Sequence, residues 1–199
     1  MEGSNHSRIA ALLEELKSGN RDVMNELFTL VYDTLRSEAR LHRIRWHGDH
    51  TLNTTALVHE TYMKLADRSD ANYESRSHFL GIASKAMRHI LVDYARRRRS
   101  LKRGGHVQKV SFEEMHEVLE NQISLSDDHH EVLVVLDEAL NRLAQRDSRA
   151  ADVVECRLFG GMTIADTAEA LDMSPRTVSR DWAMAQAWLL KEIKKELEH

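Results

Sequence analysis

The sequence predicts an all-α protein: two small helical domains joined by a flexible acidic linker, the second ending in a helix-turn-helix. Three observations carry this expectation. One proline and eight glycines in 199 residues leave few helix breakers. Apolar residues recur every three or four positions, with few strand-like alternations. Between two such regions, 104–128 loses that regularity and turns acidic. The expected division is therefore 1–103, 104–128 and 129–199.

Composition narrows the class. A hydrophobic content of 42% supports a real core. The single cysteine, Cys156, excludes an intramolecular disulfide and a thiolate metal cluster. Val132 to Leu136, the longest apolar run, is too short to span a bilayer, and MEGSNHSR lacks a signal-peptide core. A cytoplasmic protein without membrane contact is expected, so the sequon matches at Asn5 and Asn53 carry no weight.

The elements follow in order. Ile9, Leu12, Leu13 and Leu16 mark a short amphipathic helix stopped by Ser18-Gly19-Asn20. Val23, Leu27, Leu30, Val31 and Leu35 mark a longer one whose far end is basic. His42, His47 and His50 there have loop-like spacing, no accompanying cysteine and only Asp49 as a carboxylate among them, so no metal or cofactor is expected. Asn53, Thr54 or Thr55 can cap a third helix with Leu57, Val58, Thr61, Tyr62 and Leu65 on a broad apolar face. His59-Glu60 lacks the second histidine of a zinc-protease helix.

After the polar loop ANYESRSH, a long helix carries Phe79, Ile82, Ala83, Ala86, Met87, Ile90, Leu91 and Tyr94 on one side. Lys85, Arg88, Arg96, Arg97, Arg98, Arg99, Lys102 and Arg103 occupy its other side and end. One short helix is expected in the acidic stretch, from Phe112 to Leu119. Val132, Val135, Leu136, Ala139, Leu140 and Leu143 then form a helix, and Val153, Val154 and Leu158 another, before Phe159-Gly160-Gly161.

The last pattern is the most informative. Ile164, Thr167, Ala168 and Leu171 are helically spaced, Asp172-Met173-Ser174 interrupts, and a second helix begins at Pro175 with Ser174 as N-cap. This layout is that of a DNA-binding helix-turn-helix. In its second helix Val178, Trp182, Ala185 and Leu189 point inward. Arg176, Thr177, Ser179, Arg180, Ala183 and Met184 point outward, a set suited to bases and phosphates in a major groove. The tail from Lys191 alternates Lys and Glu at pairing distances.

A net charge of −4 conceals a strong asymmetry. Arg76 to Arg103 holds nine Lys or Arg against one acid, whereas Ser111 to Glu131 holds seven acids and no Lys or Arg. Arginine clustering this dense exceeds what a helix terminus needs. With Tyr73 available to stack on an unpaired base, it favours contact with melted DNA.

Three blocks together resemble a bacterial extracytoplasmic-function (ECF) sigma factor of the sigma-70 family, over nearly the whole chain. ALVHETYMKL is similar to the helix that docks on core RNA polymerase, FLGIASKAMRHILVDYARRRR to the promoter-melting helix, and FGGMTIADTAEALDMSPRTVSR to the domain that reads the −35 element. The resemblance implies that Leu57, Val58, Glu60, Thr61 and Leu65 contact polymerase. It implies that Tyr73, Lys85, Arg88 and His89 capture the opened −10 strand while Arg96, Arg97, Arg98 and Arg99 hold phosphates. Arg176, Thr177, Ser179, Arg180, Ala183 and Met184 would face the −35 duplex. Its partners would be core RNA polymerase and promoter DNA, with an anti-sigma factor permitted by the linker. No residue performs covalent chemistry in this reading, so the protein is not expected to be an enzyme.

One departure stands out. Family members commonly carry acids before and at the start of the docking helix, where this chain has Asn53, Thr54, Thr55 and Ala56. Apolar contacts and Glu60 can suffice there. Alternatively, phosphorylation of Thr54 or Thr55 by a Ser/Thr kinase restores negative charge at a helix N-terminus and switches docking on. Two other functions compete: a conventional helix-turn-helix regulator using only the C-terminal motif, with the N-terminal half as a sensor or dimerisation domain, and a metal-dependent nuclease, which would need clustered carboxylates or paired histidines on one helix face, a pattern the helices do not offer.

Overall fold

The computed structural model describes residues 2–31, 54–66, 74–101, 110–121 and 130–197, and every regular element among them is helical. Helix α1 (Glu2–Lys17) buries Ile9, Leu12, Leu13 and Leu16 and ends before Gly19, whose φ of +94° suits a residue without a side chain. A 3-10 turn, Arg21–Val23, leads into α2, described over 24–31, where Met24, Leu27 and Val31 turn inward. Arg8 and Glu26 pair across α1 and α2 at 2.7 Å. The basic far end of this stripe, the three histidines at 42, 47 and 50, and Tyr73 lie outside the described residues.

Helix α3 (Thr54–Ala66) packs on α4 (Arg76–Leu101), which starts where Ser75 Oγ accepts a hydrogen bond from the His78 amide. The expected short helix exists as α5 (Phe112–Asn121). It is not merely a solvated connector: Met115, Val118 and Leu119 are fully buried where it packs against the last helix. Its acids follow the opposite side, which is why composition alone suggests a solvated stretch.

Helix α6 (His130–Arg146) is covered by α4 on one side and the last helix on another, so the consecutive residues Val132, Leu133 and Val134 are all buried. Asp147 caps α7 (Ser148–Val154), accepting from the Ala150 amide at 3.0 Å. The helix expected to continue through Leu158 instead widens into a π-helical segment, Glu155–Phe159, closed by the Gly160 amide donating to the Glu155 carbonyl. Helix α8 (Ile164–Ala170) and α9 (Pro175–Leu197) complete the chain.

Both halves share one apolar core. It runs from Ile9 in α1 through Phe79 and Met87 in α4 to Leu136 in α6 and Ile193 in α9. The contact is direct, because α4 packs against α6, the π segment and α8 as well as against α3. A second small cluster, Val153, Ala168 and Val178, lies beneath the α8–α9 turn.

Candidate nucleic-acid interface

The α8–α9 unit is built from local signals. Thr163 and Asp166 form a reciprocal capping box at the start of α8, the Asp166 amide reaching Thr163 Oγ1 at 3.1 Å. At its end, the Met173 amide donates to the Ala168 carbonyl and the Asp172 amide to that of Glu169, with Asp172 left-handed at φ 51°. This is a Schellman closure with aspartate where glycine is usual. Ser174 then caps α9, its Oγ accepting from the Thr177 amide at 3.1 Å.

The faces of α9 divide as the periodicity predicts. Val178, Ala185 and Leu189 are buried and Trp182 is half-buried. Arg176, Ser179, Arg180, Ala183 and Met184 are exposed and Thr177 is half-buried, so the six candidate residues share an outward surface. Sequence reading missed Asp181. It is buried on α9 and accepts from Arg149 Nε at 2.8 Å and from Arg180 Nη2 at 3.0 Å, which ties two surface arginines to the helix. Arg157 lies behind them, over the Trp182 ring and donating to the Met162 carbonyl; burial pushes its pKa down.

The basic helix α4 is arranged differently from its sequence pattern. His89, Arg96, Arg97 and Arg99 are exposed, and Arg98 is half-buried with its Nε donating to Tyr94 Oη at 2.9 Å. Arg88, however, is only 4% exposed. Its Nε and Nη2 donate to Asp137 Oδ1 at 3.0 and 2.6 Å, Nη1 donates to Glu155 Oε1, and Nη2 also reaches Asn141 Oδ1 at 2.7 Å. Lys85 pairs with Asp152 at 2.6 Å, and Arg96 with Asp137 at 3.0 Å. Burial pulls the Lys85 pKa down, but the hydrogen bond and charge of Asp152, helped by Glu155, outweigh it and the net shift is upward.

Close approach of the backbones makes this pairing possible. Gly81 lies where even a methyl group would sit 3.5 Å from Ala170 Cβ and 3.6 Å from Cys156 Sγ, and Ser84 lies against Gly160. The available sequence signal was the presence of these small residues, Gly81 and Ser84, on the side of α4 that carries Lys85 and Arg88.

On α3, Leu57, Val58, Thr61 and Leu65 are all buried, Thr61 Oγ1 donating to the Leu57 carbonyl at 2.8 Å. Of the five residues expected to meet polymerase, Glu60 alone is exposed, beside His59, Met63 and Lys64. The apolar face read as a docking surface is the face by which α3 joins its own core. Thr55 is exposed in a first turn that holds no acid.

These features define an all-helical protein with a helix-turn-helix layout near its C-terminal end and a basic helix in its first half. The sequence matches the family described as ECF sigma factor over residues 6–195, and the chain belongs to that family. No curated protein and no solved structure matches it. It is accordingly an alternative sigma factor, a DNA-binding transcription initiation protein that works with RNA polymerase at promoters. Among the described residues no helix is long and apolar enough to cross a membrane.

Proposed function

We propose that the chain directs core RNA polymerase to promoters carrying −35 and −10 elements and opens the DNA at −10. The observation that carries this reading is the outward row Arg176, Thr177, Ser179, Arg180, Ala183 and Met184 on a helix whose other face is buried. In a major groove that row offers bidentate donors, hydroxyls and small apolar contacts together. The −10 strand is held by Tyr73, Lys85, Arg88 and His89, with Arg96, Arg97, Arg98 and Arg99 on phosphates. Glu60 and its exposed neighbours on α3 meet polymerase, while Leu57, Val58, Thr61 and Leu65 fix that helix from within. Transcription in vitro with purified core polymerase on a promoter library tests the reading; no transcript above core alone overturns it.

Docking is controlled at the start of α3. Phosphate on Thr54 or Thr55 places negative charge at a helix N-terminus whose first turn has none. A Ser/Thr kinase is the corresponding partner, and an anti-sigma factor is a further one. The Thr54→Asp, Thr55→Asp pair should recover more core polymerase in a pull-down than Thr54→Ala, Thr55→Ala. Equal recovery removes the switch.

A further inference from the structure

We propose that Asp181 is a specificity-determining positioning residue: its buried carboxylate, braced by Arg149 of α7, aims the outer edge of the Arg180 guanidinium at a guanine of the −35 duplex. The inference rests on the reading of α9 as the helix that enters that duplex. Asp181 is only 4% exposed, while the side chains of Arg149 and Arg180 are more than half exposed. Its two oxygens are divided between them. Oδ2 accepts from Arg149 Nε at 2.8 Å, and Oδ1 accepts from Arg180 Nε at 3.1 Å and Nη2 at 3.0 Å.

Packing alone does not call for an acid here. Position 181 lies three residues after Val178 and four before Ala185, both buried, so an apolar side chain would fill it without the desolvation cost of a carboxylate. On a helix that meets phosphates, a negative charge is also unfavourable by itself. What the carboxylate supplies is direction. Neighbours on a helix do not face each other, so Arg180 reaches Asp181 only by laying its chain across the helix surface. The bond fixes that course, and Arg149, on a different helix, keeps the carboxylate from turning with it.

The same geometry selects the base. With Nε and Nη2 turned to Asp181, the edge that stays available is the parallel pair of N–H groups on Nη1 and Nη2. In the major groove guanine offers two neighbouring acceptors, O6 and N7, where adenine offers one acceptor beside a donor. Arg180 lies midway along the exposed strip Arg176, Arg180 and Met184, in the middle of the reading row.

The test is selection of duplexes from a randomised −35 library by holoenzyme made from core polymerase and the full chain, with preferences read as ratios between bases so that overall affinity cancels. The unaltered chain should prefer guanine at one position, and Arg180→Ala should erase that preference alone. Asp181→Asn keeps the shape but leaves one acceptor oxygen for two arginines. It should lower the same preference about threefold to tenfold, the ordering cost of one long side chain. The salt dependence of its affinity should be unchanged, because both arginines remain. An equal loss at every position makes Asp181 merely structural, a gain for every duplex makes it merely a repelling charge, and either overturns the proposal.

Arg149→Gln guards against an Asp181 variant that does not fold, since it alters an exposed side chain and leaves Asp181 in place. It should lower the same guanine preference; an unchanged preference overturns the brace and the proposal with it. If Arg180→Ala weakens all duplexes alike, the guanidinium holds a phosphate and the proposal fails, although the −35 reading stands. No selection at all by the unaltered holoenzyme removes the −35 reading, and this inference with it.

Discussion

Ser84 of α4 stands where any side chain at Gly160 would have to go: a methyl group at Gly160 would lie 1.9 Å from Ser84 Oγ, 2.9 Å from Ser84 Cβ and 2.8 Å from the Cys156 carbonyl oxygen. The hydroxyl can rotate away, but Cβ and the carbonyl cannot. Gly160→Ala should therefore cost about 1–3 kcal/mol by overpacking, read as a lower urea midpoint with unchanged slope. Ser84→Ala in the same background should restore only part of it, because the carbonyl clash stays.

Arg88 gives the largest predicted loss. Arg88→Met removes the one buried cation that bridges Asp137 and Glu155, leaving them only the half-exposed Arg96 and Lys85, a change of about 3–5 kcal/mol, whereas Arg96→Ala, half-exposed on the same carboxylate, should cost less than about 1 kcal/mol. Arg88→Lys should not rescue the first, since one ammonium cannot span Asp137, Asn141 and Glu155 together. Urea unfolding of the three variants distinguishes these outcomes.

The Lys85 pair sets a pH dependence at the alkaline end. Its pKa is raised in the folded chain above the ordinary lysine value of 10.5, so its contribution is complete below that value and is lost as pH rises through the higher folded value. The difference in unfolding midpoint between the unaltered chain and Lys85→Met should stay constant from neutral pH upward and shrink only at strongly alkaline pH. A difference that shrinks near neutrality would contradict the assignment.

Asp172 holds the α8–α9 turn in a left-handed conformation that costs an L-residue about 1–2 kcal/mol, less for aspartate than for most. Asp172→Gly relieves that strain but loosens the unfolded chain, so a net gain below about 1 kcal/mol is expected. Asp172→Val should lose about 1–2 kcal/mol, since a β-branched side chain tolerates this backbone worst. Thermal melting reads both.

Arg176 is exposed on α9 and should matter for DNA rather than for folding. Arg176→Ala should leave the melting temperature unchanged and reduce holoenzyme affinity for a −35 duplex by at least about fivefold, the lower end of the roughly 1–3 kcal/mol that one bidentate contact supplies. An unchanged affinity would move the reading surface away from this residue.

What could be read from the sequence followed the reach of the interactions involved. The α8–α9 unit was legible because its caps, turn and inward row all lie within a few residues of one another, from Thr163 to Leu189. The α3 stripe was legible as apolar, but a helical period does not say whether Leu57 and Leu65 face their own core or a partner. Arg88 was the least legible. Nothing near it in sequence distinguishes it from its solvated neighbours, because its acceptors come from α6 and the π segment, and only Gly81 and Ser84 hinted that another backbone passes close by.

Asp137 and Glu155 follow Arg88 by 49 and 67 residues. At a synthesis rate of about 5–20 residues per second, α4 is made some 3–13 seconds before its second acidic partner. Until then the growing polypeptide carries the Arg88 guanidinium without its full set of carboxylates, in a cell full of polyanions. The order in which these segments are encoded thus imposes a brief period of vulnerability on every newly made copy, and it ends only when the later half of the chain has been synthesised and can fold back.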